Sequence, residues 1–374
     1  MLCCARTRVD FAANERIRAL LPGTLDWAYI YQLAKRHSVL SLFYWRLREA
    51  APDAIPAAQL KKFRENYRDN AARNLFLAGE LVRIIKKFED AGVEAIPYKG
   101  PALAITAYGN LSLRRFVDLD IMVRKKDVAR AMELLEDGGY EPQLRLTDSQ
   151  QALLLRTQHN FPFTREGGRL IVELHWEVAA RQYASSLSAE DLWGRLQRMT
   201  INNTKVKTLS VEDLLLSLCV HGSKHLWERL AWICDVAELI NSQQVDWTWL
   251  VRRATEARHE RMLLLGLRLS HELLDAPLPD ELRDAAYSER EVASLAAQVY
   301  ARLFENEYRP AGLLENLRFN LRARKKMADK VRYLSFVVTP TDGDLAVVNL
   351  PSKLSFLYYL LRPVRLLLKG SVEH

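Results

Sequence analysis

The residues best suited to chemistry in this 374-residue chain lie close together. Asp118 and Asp120 stand two apart in Val117-Asp-Leu-Asp-Ile-Met-Val123, a run that reads as a strand. Residues two apart on a strand point to the same side, so both carboxylates project together while Leu119, Ile121 and Val123 enter a core. Two carboxylates so placed raise each other's pKa unless a cation lies between them. Hard divalent ions with oxygen ligands suit that role, and Mg²⁺ held by a few carboxylates plus substrate phosphates is the usual form. A third carboxylate on a neighbouring strand completes a two-ion site fit for in-line phosphoryl transfer. Glu173, in Ile171-Val-Glu-Leu-His175, is well placed for it, with Glu177 and Asp148 as alternatives.

The turn at Lys99-Gly100 supplies the complementary half. It lies between a strand and a helix, with Pro101 suited to the first helical position. The backbone N–H groups of that helix start would face phosphates, and Gly100 permits close approach. Lys99 adds a charge for a triphosphate, and Arg114 and Arg115 do the same from just before the carboxylate strand. Phosphoryl transfer needs mainly positioning and charge neutralisation, which this set provides.

The elements that must position these groups form a small α+β block. Short β-rich runs occur at Glu94–Tyr98, Val117–Val123, Asn160–Thr164 and Leu170–Trp176, with helical spacing over Lys126–Glu136 and a hairpin turn at Glu166-Gly167-Gly168. Helical patterns flank the block. Asp26–Glu49 and Ala57–Ala91 precede it, with Gly92 as a C-cap, and the pattern returns to helix from about Ser186, including a capped start at Ser210-Val-Glu-Asp213. The expected organisation is a helical region over 1–92, an α+β core over 93–185 and a helical region over 186–374. Asp342-Gly343-Asp344 reads as a loop, and Ser352–Lys369 as a last helical stretch interrupted by Pro363.

Lys and Arg total 54 against 46 Asp and Glu, giving a net charge of +8. That excess suits an anionic ligand such as a nucleotide, an RNA or a membrane surface, but it is mild for the size. The four cysteines argue for a reducing compartment, and they lack the C-x-x-C spacing of a zinc site. The amino terminus has no secretory pattern and no run approaches the ~20 apolar residues of a membrane span, so a cytoplasmic protein without integral membrane association is expected.

The pattern of Lys-Gly, a helix, an Arg, then Asp-Leu-Asp on a strand resembles the polymerase-β nucleotidyltransferase superfamily. The whole chain looks like its bacterial family of uncharacterised nucleotidyltransferases. The core resemblance covers about 94–176, and the flanks are similar at His221-Gly-Ser-Lys-His225, Trp227, Arg229, Trp232 and Asp235, and at Leu350-Pro351 and Leu361-Arg362-Pro363. The resemblance implies a mixed sheet with helices, embedded here in a mostly helical protein, and two Mg²⁺ ions held by Asp118, Asp120 and Glu173. It also implies attack by an acceptor on the α-phosphorus of a nucleoside triphosphate. One departure stands out: Gly100-Pro101 occupies the place of the superfamily's Gly-Ser or Gly-Gly, which removes a hydroxyl contact to phosphate.

The core leaves few residues to define an acceptor. His175, on the same strand side as Glu173, and the mixture His221, His225, Trp227, Arg229 and Asp235 are candidates for that pocket, since aromatic faces with a few polar groups are common in small-ligand sites. His221 and His225 share a helical face at metal-ligand spacing but lack an H-E-x-x-H register, so a core or substrate-facing role is expected rather than zinc. The expected activity is Mg²⁺-dependent nucleotidyl transfer to an unidentified acceptor. One alternative is an inactive module of the same fold that binds a nucleotide or a partner. Another is a toxin-like RNA nucleotidyltransferase, which needs the basic run Arg322–Lys326, with Lys330 and Arg332, to border the cleft.

Overall fold

In a computed structural model, residues 1–8, 11–53, 55–178, 189–305 and 309–370 are described. The expected boundary at 185/186, and the expected onset of helix at Ser186, lie outside the described residues.

Four helices open the chain: α1 (Phe11–Leu20), α2 (Trp27–Arg36), α3 (Leu40–Ala50) and α4 (Ala57–Asp90). Asp26 caps α2 by accepting from the Tyr29 N–H at 2.8 Å. The stretch that reads as continuous over Asp26–Glu49 is broken at Ser38, whose φ of 59° no helix accommodates. Gly92, at φ 74°, reverses the chain after α4, and the Val93 N–H closes the end on the Phe88 carbonyl at 2.9 Å.

The central block carries five strands, β1 (Ala95–Pro97), β2 (Leu119–Val123), β3 (Glu141–Pro142), β4 (Asn160–Arg165) and β5 (Leu170–His175), in the spatial order β1-β2-β5-β4-β3. β2 and β5 run parallel and the other pairs antiparallel, so the sheet is mixed. Helix α5 (Gly100–Tyr108) joins β1 towards β2, α6 (Val128–Glu136) follows β2, and α7 (Asp148–Thr157) precedes β4. Strand alternation divides the sheet cleanly. Leu119, Ile121 and Val123 of β2, Leu170, Val172 and Leu174 of β5, and Phe161 and Phe163 of β4 pack in one core with Leu77, Leu81, Ile84 and Phe88 of α4 and Leu134 of α6. The opposite face holds Asp120, Met122, Glu173 and His175, and Met122 belongs to the second core, the one shared with the helices.

That second core unites the amino-terminal helices with the helices that follow the sheet. Ile17, Tyr44 and Phe63 from the amino-terminal helices pack with residues of α9 (Val211–Lys224), α10 (Leu230–Ser242) and α12 (Glu260–Leu274), while the short α8 (Ala189–Trp193) and α11 (Trp247–Glu256) lie between. Helix α9 begins as expected, with Ser210 accepting from the Asp213 N–H. Its other end is unusual. Leu226 and Trp227 both adopt left-handed backbone, at φ 54° and 53°, and the Trp227 N–H reaches back to the Gly222 carbonyl at 2.8 Å. Two non-glycine residues so placed cost about 1–2 kcal/mol each. Burial of the whole Trp227 indole opposes that cost: its ring fills the space a Cβ would need at Gly222, 2.5 Å away, and lies against Gly266 of α12.

The structure departs from the sequence reading after residue 189. A two-stranded hairpin, β6 (Gln197–Ile201) and β7 (Thr204–Thr208), turns at Asn202-Asn203, with φ of 46° and 61° as a primed turn requires. Only Ile201, Val206 and Thr208 of it are buried, so its apolar alternation is faint; the Thr208 hydroxyl ties it to β1 through the Pro97 carbonyl at 2.6 Å. Asp342-Gly343-Asp344 is likewise a short helix (Asp342–Leu345) instead of a loop. Asp344 is buried there and takes Arg365 at 2.7 Å and Arg362 at 3.4 Å, anchoring the helix Tyr358–Gly370 that runs through Pro363. Among the described residues no helix is long and apolar enough to cross a membrane.

Two glycines are expected to respond oppositely to alanine. Gly222→Ala drives a Cβ into the Trp227 ring and should lower stability by about 1–3 kcal/mol. Gly79, exposed within α4 with nothing near its missing Cβ, should gain about 0.5–1 kcal/mol. Urea denaturation of both variants checks the pair, and a stable Gly222→Ala protein would contradict the packing of Trp227.

Candidate active site

The parallel register of β2 and β5 sets Asp120 directly opposite Glu173 and Met122 opposite His175. Both carboxylates leave the sheet on the face away from α4, because their neighbours Leu119, Ile121, Val172 and Leu174 occupy the other. Of the three carboxylates proposed for the third place, Glu173 is the one this register pairs with Asp120. Asp118 lies immediately before β2 and is half-buried. Gly100 packs on its backbone: at φ 50°, a Cβ there would sit 3.1 Å from the Asp118 carbonyl oxygen. Close approach is thus the reason for glycine at this turn, and the group approached is Asp118 itself.

Three cationic or hydrogen-bonding side chains contact the carboxylates. Nε2 of the buried His175 lies 3.2 Å from Asp120 Oδ1 and 3.3 Å from Glu173 Oε2, and its Nδ1 lies 3.2 Å from the Tyr98 hydroxyl. The Lys99 ammonium is 3.4 Å from Asp120 Oδ1, and Asn160 donates to Glu173 Oε2 at 2.9 Å. Burial alone would raise the Asp120 and Glu173 pKa values, but Lys99 and His175 hold Asp120 below the ordinary carboxylate range, and His175 lowers Glu173. The same two carboxylates raise His175 against the effect of its own burial. Asp118 goes the other way. Burial, then the charges of Asp120 and Glu173, push it up to about 6, and among the described residues no ion pair holds it.

This imbalance fits a divalent cation. Ligand atoms of Asp120, Glu173 and His175 all lie within 4.8 Å of one another; Asp118, just upstream, is outside that group of three, though the charges of Asp120 and Glu173 still raise its pKa. Oxygen ligands suit Mg²⁺, while an imidazole in the set also admits a softer ion.

A cavity of about 230 Å³ opens beside this cluster. Lys99, Glu173 and His175 line it from the sheet, with His159 and Asn160 at the start of β4, and Ser217, His221, Lys224 and His225 line it from α9 and its end. Of the expected acceptor residues, His175, His221 and His225 therefore meet Glu173 at one cavity, whose lining does not include Asp118 or Asp120. The His221 and His225 rings lie 4.8 Å apart between centroids and tilted at 55°, each 5.4 Å from Trp232. Burial first, then Lys99 or Lys224, keeps both imidazoles readily neutral. The remaining residues lie elsewhere. Trp227 is in the helical core, and Arg229 is exposed over the Trp232 ring. Asp235 is buried, accepting from Arg114 at 2.8 and 3.0 Å and from the Tyr108 hydroxyl at 2.8 Å, so Arg114 braces α10 against the segment before β2. Arg115 is exposed.

The backbone at the Lys99-Gly100 turn is also largely engaged. Pro101 has no N–H, and those of Ala102 and Leu103 donate to the Lys99 carbonyl at 3.1 and 3.4 Å. The basic run 322–326 is not a bare face either: Arg322 pairs with Glu291 at 3.0 Å and Arg324 is buried. Tyr98, His159, Asn160 and Lys224 were not assigned from sequence. Asn160 opposes His175 across β4 and β5, a pairing legible only once the register is known. Lys224 lies within the His221–His225 segment, one helical turn past His221.

No curated protein matches the chain. Two solved structures are similar to part of it. An antigenic nucleotidyltransferase-like protein from Paracoccidioides brasiliensis is 17% identical over 57% of this chain and 97% of its own, with a TM-score of 0.36. The antibiotic-resistance factor ANT(2'')-Ia is 14% identical over 62% of this chain and 99% of its own, with a TM-score of 0.28. The model of a family described as uncharacterised nucleotidyltransferase matches residues 23–275, some two thirds of the sequence, and the chain belongs to that family.

Proposed function

We propose that the protein transfers a nucleoside monophosphate from a triphosphate to an acceptor hydroxyl, using a divalent cation held by Asp118, Asp120 and Glu173. The observation that carries this reading is the in-register pairing of Asp120 with Glu173, with Asp118 two residues upstream and poorly compensated. A bound cation would neutralise the triphosphate and polarise its α-phosphate. Glu173, 32% exposed and steadied by Asn160, faces the cavity where an acceptor would sit, and can take the hydroxyl proton as it attacks. The acceptor oxygen then bonds to the α-phosphorus, the bond to the bridging oxygen breaks, and pyrophosphate leaves. Lys99 supplies charge beside Asp120, and His175, braced by Tyr98, fixes both carboxylates.

A non-catalytic nucleotide-binding role is the second reading. It is favoured by one observation: Lys99 and His175 already neutralise much of Asp120 without a metal. Incubation with each α-labelled triphosphate, Mg²⁺ and cell extract separates the two. Transfer of label supports the enzyme, whereas bound and intact triphosphate supports the binding module. Asp118→Asn and Asp120→Asn should each reduce transfer by about a hundredfold or more while the protein stays folded. Near-normal transfer by either variant contradicts the role of these carboxylates.

Gly100→Val should lower stability by about 1–2 kcal/mol through its left-handed backbone. It should also weaken binding of a non-hydrolysable triphosphate, because the new side chain presses on the Asp118 carbonyl. Calorimetry at a temperature where the variant remains folded measures this, and unchanged affinity would rule out a role for the turn.

A pH dependence follows from Asp118. Its folded pKa is raised from 3.8 to about 6, so its contribution to stability is fully present below the unfolded value and is lost as pH rises through about 6. In metal-free buffer the melting temperature should fall between those values relative to Asp118→Asn. Mg²⁺ should restore it, and identical pH profiles for the two proteins would contradict the crowding of charge at this site.

A further inference from the structure

We propose that the segment 325–366 is a peripheral membrane-binding surface whose partner is an anionic phospholipid bilayer. The inference is independent of the nucleotidyl-transfer reading. It starts from a helix turned the wrong way for water. In Tyr358–Gly370, Arg362 and Arg365 reach inward to the buried Asp344 at 3.4 and 2.7 Å, and Tyr358 is buried in the core under α4. Leu360 and Val364 are left outside, 64% and 55% exposed, with Phe356 of the preceding turn at 60%. A surface helix of a globular protein has the opposite arrangement, with its apolar stripe on the core and its charges in water.

The helix Met327–Leu334 repeats the pattern. Asp329 is buried, with Arg258 at 3.1 Å, and Tyr333 is buried as well, while Met327, Val331 and Leu334 are exposed, as is Val338 just past the helix. The turn Ser335–Val337 that continues this helix lies against Tyr358–Gly370, so the two apolar stripes belong to neighbouring elements. Half of the large apolar side chains exposed among the described residues fall within 327–364. Scattered exposed apolar residues are ordinary, but such a concentration marks an interaction surface.

Charge selects the occupant. Asp329 and Asp344 are engaged in inward ion pairs, while Lys325, Lys326 and Lys353 stand exposed next to Met327 and Leu354 in the chain. Apolar side chains interleaved with ammonium groups match the interface of an anionic bilayer, where the former enter the acyl boundary and the latter meet phosphates. A second copy docked through the same face would bring the same lysines together, and like charges across an interface are unfavourable. Among the described residues no helix is long and apolar enough to cross a membrane, so the contact proposed is with the bilayer surface.

Co-sedimentation of the full chain with lipid vesicles tests the assignment. The wild type should bind vesicles of equimolar phosphatidylcholine and phosphatidylglycerol at least about tenfold more tightly than phosphatidylcholine alone, and molar salt should remove most of that difference. Phe356→Ser with Leu360→Ser, and separately Lys326→Glu with Lys353→Glu, should each weaken binding to the mixed vesicles at least about tenfold. All four side chains are exposed, so both variants should keep the wild-type melting temperature; Leu354→Ser with Val364→Ser replaces the first pair if that protein does not fold. Unchanged binding by either folded variant, equal binding to both vesicle types, or no binding by the wild type would overturn the proposal. A wild type that ignores vesicles and forms a dimer in sedimentation velocity, lost with the serine pair, would assign the face to a second copy instead.

Discussion

Like charges on one face of a small sheet set the terms for the rest of this molecule. Asp120 and Glu173 oppose each other on adjacent parallel strands, with Asp118 just upstream, because the alternating residues between them are needed for the core under α4. Carboxylates so close repel, and the surrounding groups answer that repulsion unevenly. Lys99 and His175 stabilise Asp120 and Glu173 as anions, and Tyr98 and Asn160 hold the partners in place. Asp118 is left with its pKa raised. The asymmetry distinguishes this cluster from an ordinary buried ion-pair network, in which every acid would be lowered.

The second half of the site comes from the helices. α9 places His221, Lys224 and His225 across the cavity, and α10 is fastened to the segment before β2 by the Arg114–Asp235–Tyr108 cluster. Arg114 and Asp235 therefore act on the site through architecture: they fix how the helical layer covers the carboxylate face. Removing one partner of so buried a pair leaves the other charge stranded, a larger perturbation than the loss of a surface ion pair.

Much of this was legible in the sequence, and the pattern of what was not is instructive. The strand that carries Asp120 and begins just after Asp118, the one carrying Glu173 and the Glu166-Gly167-Gly168 hairpin all follow from short-range alternation and turn chemistry. Pairing between distant strands is a different matter. Tyr98 and Asn160 join the site only through the β1-β2-β5-β4 order, which no local pattern encodes. The hairpin β6–β7 escaped because its exposed positions are Arg198, Thr200, Lys205 and Lys207 and few apolar residues mark its inner face. Trp227 misled for a related reason. A tryptophan beside histidines resembles a pocket residue, and only the left-handed turn after Lys224 tucks it beneath Gly222 instead.

The claim on which the whole reading depends is that these carboxylates hold a divalent cation. Mn²⁺ titrated into the protein with a non-hydrolysable triphosphate, with free ion followed by its electron paramagnetic resonance signal, measures this directly. The wild type should take up the ion, and Asp118→Asn and Asp120→Asn should each release most of it. Equal uptake by all three proteins, or none by the wild type, would contradict a metal-dependent site at Asp118, Asp120 and Glu173.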